Sequence, residues 1–369
     1  MSGCPRPPLA DPPVAHGLRG ALLLSLGLLG SGALTGCAAL TDNFVQKKVL
    51  PTLMADDDVE LACMTGAATA PMLAVIGPVG NHPTKAGVLT QLSAGMCAEF
   101  RAWDAELLRL QANYEGRSTA SQDHLEVERR AHVDAARRYY ASWRSLEAAF
   151  GEIGGECPTL RANDEAVYLL GLSAGVLSVL HDRAGGNEID VPLDIPAKVG
   201  RGAACLDDDA WWGVPGALQA AVAISIPGGV TAGSDPFAAL ELQALKGERA
   251  KVRLARSFQI QTLSSQGKEE ELGRALAAHA TALGTPADPA WRLLDRYGGL
   301  LIRHESDKRW MQETGARTPQ GSFGSMPGAV TQTLDLLEMP DLFGPLPIEE
   351  VAPAPTGAPT ITPQPESGK

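Results

Sequence analysis

No run in this chain alternates apolar and polar residues at period two, so a sheet has nothing to grow from and the body must be helical. The stretch from Asp164 to Gly229 shows how such a body is built. Tyr168 to His181 reads as a helix with Gly171, Ser173, Ala174 and Gly175 inside it. Pro192, Pro196, Pro215 and Pro227 then punctuate shorter segments. Small residues inside helices and Pro or Gly between them are what stacked helical hairpins need. The expected fold is therefore all-α, a degenerate tetratricopeptide-like stack of antiparallel hairpins. Leu92-Ser93-Ala94-Gly95 and Leu172-Ser173-Ala174-Gly175 recur in mid-helix, where small side chains let two axes approach closely. The 34-residue period is not kept cleanly, and a non-repetitive bundle is the alternative.

Taken in order, Thr41 or Asp42 caps a helix to about Leu50, and Pro51 interrupts it. Asp56, Asp57 and Asp58 start a second, with Val59, Cys63, Ala67 and Ala70 on one face. Thr84 caps a long helix to about Asn113, with Val88, Leu92, Met96, Phe100, Trp103, Leu107 and Leu110 at helical spacing. The next, ending near Phe150, turns Tyr139, Tyr140, Trp143 and Leu146 inward and leaves Glu126, Glu128, Arg129 and Arg130 to solvent. Asp235 caps a further helix that offers Phe237, Leu240, Leu245, Val252, Leu254 and Phe258 to its core. Lys268 to Leu283 and Asp288 to His304 form a hairpin, and Asp307 to Thr314 a last short helix. From Pro345 onward Pro, Ala, Thr and Gly dominate, so the tail is expected to be disordered or polyproline-like. The expected division is a leader at 1–36, a linker at 37–44, the helical repeat domain at 45–343 and the tail at 344–369.

The leader reads as an address. Arg6 and Arg19 precede an apolar run from Ala21 to Leu34, too short to span a bilayer but suited to a signal peptide. It ends in Leu34-Thr35-Gly36-Cys37, which resembles the lipobox of bacterial lipoproteins and makes Cys37 the expected site of lipidation. A secretory signal with an incidental Cys is the alternative. Ala38, rather than Asp, fits sorting to the outer membrane, with the chain facing the periplasm. Losing the leader takes away two arginines and one aspartate, so the formal charge moves from −12 to −13. That balance argues against nucleic acid, whose phosphates demand a basic face, and against an electrostatic membrane patch, which leaves the lipid as the expected anchor.

Cys63, Cys97, Cys157 and Cys205 in an oxidising compartment read as two disulfides. Of three possible pairings, 63–97 and 157–205 are favoured because each joins neighbouring segments. None of the four has a Cys-x-x-Cys partner, so zinc and redox chemistry are not indicated.

Other constellations have plain explanations. Gly171-Leu172-Ser173-Ala174-Gly175 matches a hydrolase nucleophile elbow, but that chemistry needs a strand before the Ser, and helix packing accounts for it better. His181 suits a helix C-terminus, with Asp182 in the following turn. His124 and His132 share one face, which reads as surface. Asp207, Asp208 and Asp209 lack the spacing of a calcium loop and read as the start of a helix carrying Trp211 and Trp212. Successive helical residues point about 100° apart, so two adjacent Trp cannot share one core. Ordinary partial burial of both is the plainer reading; the groove reading places one of them at the edge of a concave surface together with Tyr168. No nucleotide, dinucleotide or zincin motif appears, so neither cofactor nor enzymatic activity is indicated.

With the lipobox and helical body in view, the order of features over about 164–279 resembles the T-component (TatT-type) lipoproteins of tripartite ATP-independent periplasmic (TRAP) transporters. A small-residue helix (Tyr168 to His181) is followed by Ile195 to Leu206, then Trp212-Gly213, a Gly-rich turn and the helix beginning at Asp235-Pro236-Phe237. The resemblance implies a lipid-anchored accessory protein that binds a periplasmic substrate-binding protein and helps pass a small apolar or acidic ligand. A scaffold of the cell envelope that binds proteins alone, and an envelope hydrolase, are the other classes.

Overall fold

The computed structural model describes residues 41–76 and 84–328, and every regular element among them is helical. The leader, Cys37, the first part of the linker and the Pro-rich tail lie outside the described residues. A π-helical segment, Val45–Val49, leads into α1 (Leu50–Ala55), and α2 (Val59–Ile76) follows. Three long helices come next: α3 (Thr84–Tyr114), α4 (Ser118–Phe150) and α5 (Ala162–Ala184). Shorter elements complete the body: α6 (Ile195–Ala203), α7 (Val214–Ser225), α8 (Pro236–Ala250), α9 (Leu254–Ser265), α10 (Glu269–Ala282) and α11 (Arg292–Thr314).

Neighbours in sequence pack as neighbours in space from α2 to α10, which is the expected stack of hairpins. Its centre is α4. The recurring tetrapeptides each receive an aromatic ring from it: a Cβ on Gly95 would lie 2.5 Å from Tyr139 Cε1, and one on Gly175 would overlap the Trp143 ring. Leu146 covers Gly171 in the same way. The small residues therefore set the α3–α4 and α4–α5 distances, and Ser173 sits inside a helix with its hydroxyl donating to the Leu169 carbonyl at 3.1 Å. An elbow would need a strand there.

Both disulfides join the expected cysteines. Cys63–Cys97 links α2 to α3 with Cα atoms 5.2 Å apart. Cys157–Cys205 ties the α4–α5 loop to the end of α6, at 5.4 Å.

Several local expectations change for identifiable reasons. Pro51 does not interrupt the first helix, because the chain widens ahead of it: Leu50 N–H donates to Val45 O, five residues back. On α2 the buried face runs through Gly66, which abuts Ser93 and Ala94, while Ala67 is exposed. Asp58 supplies the α2 cap, its carboxylate accepting from Leu61 N–H at 2.8 Å. The helix begun at Pro236 stops at Ala250, where Lys251 takes a left-handed conformation (φ 62°) and Val252 N–H reaches back to Gly247 O at 2.9 Å. With no Gly at that cap, the sequence carried no stop signal, and Leu245 ends up exposed. The last helix runs unbroken through His304 to Thr314. Ser306 and Asp307 face the loop that follows, bonding to Thr318, and need no break in the chain.

One long-range feature reorganises the body. Helix α11 does not extend the stack but returns to pack on α1, α3 and α9. Its entry is fixed by Arg253, which is buried and gives Asp295 one backbone hydrogen bond of 2.8 Å and two side-chain bonds of 2.8 and 2.5 Å while also donating to Ala282 O and Thr285 O. Arg256, wholly buried, bonds Glu241, Glu248 and Gln259 and ties α8 to α9.

Candidate functional site

The three side chains expected at a groove lie in the core. Trp211 and Trp212 occupy a turn rather than a helix, and Trp212 and Gly213 are both left-handed (φ 55° and 79°). That turn removes the 100° step between the two indoles, so both enter one core. There they meet Trp291, just ahead of α11, with ring centroids 5.7 and 4.7 Å from it and 5.3 Å from each other. Trp211 Nε1–H donates to Glu165 at 2.8 Å. Tyr168 is fully buried edge-on to Phe150 and beside Gly202, and its hydroxyl has no hydrogen-bond partner among the described residues. The returning α11 has filled the concave side where an open stack would have left a groove.

What the structure assembles instead is a polar spine along α3. Glu99 is buried and accepts hydrogen bonds from Tyr139 (2.8 Å) and Tyr297 (2.6 Å), with His181 Nε2 at 3.1 Å. His181 Nδ1 lies 2.8 Å from His132 Nδ1, so one proton is shared between the two rings. Burial alone would raise the Glu99 pKa, yet the hydrogen bonds and the neighbouring imidazole outweigh it and hold the carboxyl below its ordinary value. His132 is pushed down to about 4 by desolvation and by His181, so it is neutral at pH 7. It reads as surface in the sequence and is partly buried here.

Two helical turns along α3, Glu106 repeats the pattern with other partners. His304 Nε2 is 2.8 Å away, Lys308 3.5 Å and Arg109 3.7 Å. Burial opposes ionisation of Glu106, but these groups bring its pKa to about 2. Arg109 passes the charge on to Glu128 at 2.5 Å, which is why Glu128 is buried rather than solvated. The sequence hides the Glu99–Glu106 spacing, because both carboxylates lie on a face otherwise read as apolar.

This network backs two concavities. One is a narrow cavity of about 50 Å³ whose wall includes Ser93 and Ser173 of the two tetrapeptides, with Met96, Phe258, Tyr297 and Leu301. It is too small for a drug-sized ligand, which takes roughly 300–1,000 Å³. The other is an open groove of about 520 Å³ between α2, α3 and α11. Phe100, Trp103 and Leu107 make its floor, Met64 and the Cys63–Cys97 bridge one wall, and Leu300, Arg303 and His304 the other. Arg101, Asp104 and Arg317 stand at the rim. His304 stacks on Trp103 (4.8 Å, 14°) while its Nε2 meets Glu106, so the spine holds the floor's largest ring in place. Met64 and, on the same helix, Leu61 are about half exposed.

Among the described residues no group of three or more His, Cys, Asp or Glu side chains is arranged to hold a metal ion. Among them also no helix is long and apolar enough to cross a membrane. Compared with known protein families, curated proteins and solved structures, the chain has no match.

Proposed function

We propose that this chain is a lipid-anchored helical protein of the cell envelope that docks a partner protein in the groove between α2, α3 and α11. The observation that carries the proposal is the groove itself. An aromatic floor is locked from behind by His304 and Glu106, with the apolar Met64 on one wall and Arg101, Asp104 and Arg317 outside. An apolar centre inside a polar rim is the usual make-up of a protein interface. Ring preorganisation lowers the entropy lost on docking.

The resemblance to TRAP T-components supplies the identity of the partner, a periplasmic substrate-binding protein. Burial of Trp211, Trp212 and Tyr168 favours a protein-binding role over passage of a small apolar or acidic ligand along the inner face. The scaffold reading shares this groove and differs only in the partner.

The test is to place a photo-reactive benzoylphenylalanine at Met64 and irradiate intact envelopes. A single dominant adduct is expected, a substrate-binding protein, and Trp103→Ala should reduce it at least tenfold. Adducts at position 64 no different from those of a probe at exposed Val127 would overturn the docking proposal. A dominant adduct that is some other envelope protein would leave the groove and remove the transporter.

A further inference from the structure

We infer that the end of the bundle where the described chain begins is a bilayer-docking surface, entering the lipid interface through Phe44 and Met72. The inference rests on Cys37 being the lipidated residue, and the geometry then limits which end can meet the membrane. Cys37 lies four residues before Thr41, a reach of at most about 14 Å. Asp42 is pinned at that end of the bundle, its carboxylate accepting from Ala86 N–H at the start of α3 at 2.9 Å. Lys85, next to it, meets Asp164 at the start of α5 at 2.6 Å and lies over Phe150 at the end of α4. The start of α3, the start of α5 and the end of α4 therefore share one end, and the acyl chains cannot stray far from it.

This end carries apolar side chains that the fold does not use. Phe44 is 61% exposed and Met72 66% exposed, among the largest values for apolar side chains among the described residues. Met72 reaches the same level because α2 runs antiparallel to α3: Gly66 abuts Ser93, and Leu73 shares a surface hollow with Thr84 and Gly87.

The charges are sorted to match. Lys47 and Lys48, within one turn of Phe44, are exposed on a chain of net charge −12. The acidic run Asp56, Asp57 and Asp58 starts α2, so it stands the length of that 18-residue helix away, about 27 Å from the end that carries Met72. Beside acyl chains, an apolar contact with nearby basic residues is a second signal that lipid surfaces exploit.

The experiment uses the wild-type full chain, purified from membranes and reconstituted into phosphatidylethanolamine–phosphatidylglycerol vesicles doped with a phosphatidylglycerol bearing a diazirine in its acyl chain. After irradiation, peptide mass mapping locates lipid adducts and, in the same spectra, reads the acyl mass on Cys37. Adducts are expected at positions 44 and 72 and not at exposed Val127 or Leu193, with at least fivefold fewer in Phe44→Ser/Met72→Ser. Both sites are exposed, so that variant should fold. An acylated Cys37 with no adducts at 44 or 72 overturns the docking surface and leaves the anchor standing. An unacylated Cys37 with adducts at 44 and 72 removes the anchor and keeps the surface. Neither acylation nor adducts overturns both.

Discussion

Glu99 on α3 and His181 on α5 meet at 3.1 Å inside the body, with Glu99 also accepting from two tyrosine hydroxyls. One carboxylate thus joins α3, α4, α5 and α11. Deleting it would strand three buried polar groups, which costs far more than any single hydrogen bond contributes. Glu99→Ala is expected to lower stability by about 3–5 kcal/mol in chemical denaturation, and Glu99→Gln by about half as much. Equal, small effects from both would mean that the spine does not hold the helices together.

The two tetrapeptides should be intolerant of volume. At Gly95 an added methyl meets the Tyr139 ring, so Gly95→Ala has to push α3 and α4 apart or move a fully buried ring. A loss of about 1–3 kcal/mol is expected. Gly299, whose Cβ would meet nothing within 4 Å, serves as the control: Gly299→Ala in mid-helix should be neutral or stabilising by up to about 1 kcal/mol. Thermal melts of the pair decide it.

Acid should unfold the protein through its histidines. His279 is buried, with its pKa depressed to about 4 by desolvation and by Arg253, and His132 is likewise depressed to about 4. Their unfolded values lie near 6.5, so between about pH 6.5 and 4 the unfolded chain binds more protons than the folded one. The stability they contribute is complete above pH 6.5 and lost as pH falls towards 4, with a slope of at most about 1.4 kcal/mol per pH unit for each group. His279→Phe, which can keep the edge-to-face contact with Phe323, should flatten that slope in urea melts at stepped pH. An unchanged slope would mean that His279 is not held neutral.

The tryptophan cluster yields an optical test. Trp211, Trp212 and Trp291 are packed ring on ring with little exposure of the first two, so acrylamide should quench them poorly in the native state. Trp291→Ala should cost about 3–5 kcal/mol, uncover both neighbours and raise their quenching. Unchanged quenching in that variant would mean that α11 does not close the stack.

The sequence by itself determined the helices and much of their pairing. Periodicity placed α3 and the end of α4 almost to the residue, since each has a long apolar stripe; the start of α4 at Ser118 lies several residues earlier than its polar first turns suggest. The small residues at Gly95, Gly171 and Gly175 announced close helix contacts, and chain proximity chose Cys63–Cys97 and Cys157–Cys205. Those features are local, and local spacing is what a sequence displays. Only the tertiary structure decided what crossed the stack. Trp211 and Trp212 are buried because a left-handed turn and a ring about eighty residues onward complete their core. Glu99 and Glu128 are buried and Glu106 half-buried because Tyr297, Arg109 and His304 arrive from other helices to satisfy them. A charged side chain shows its own desolvation cost in the sequence but not the partner that offsets it. The return of α11 over the inner face, which removed one groove and built another, therefore had no signature along the chain.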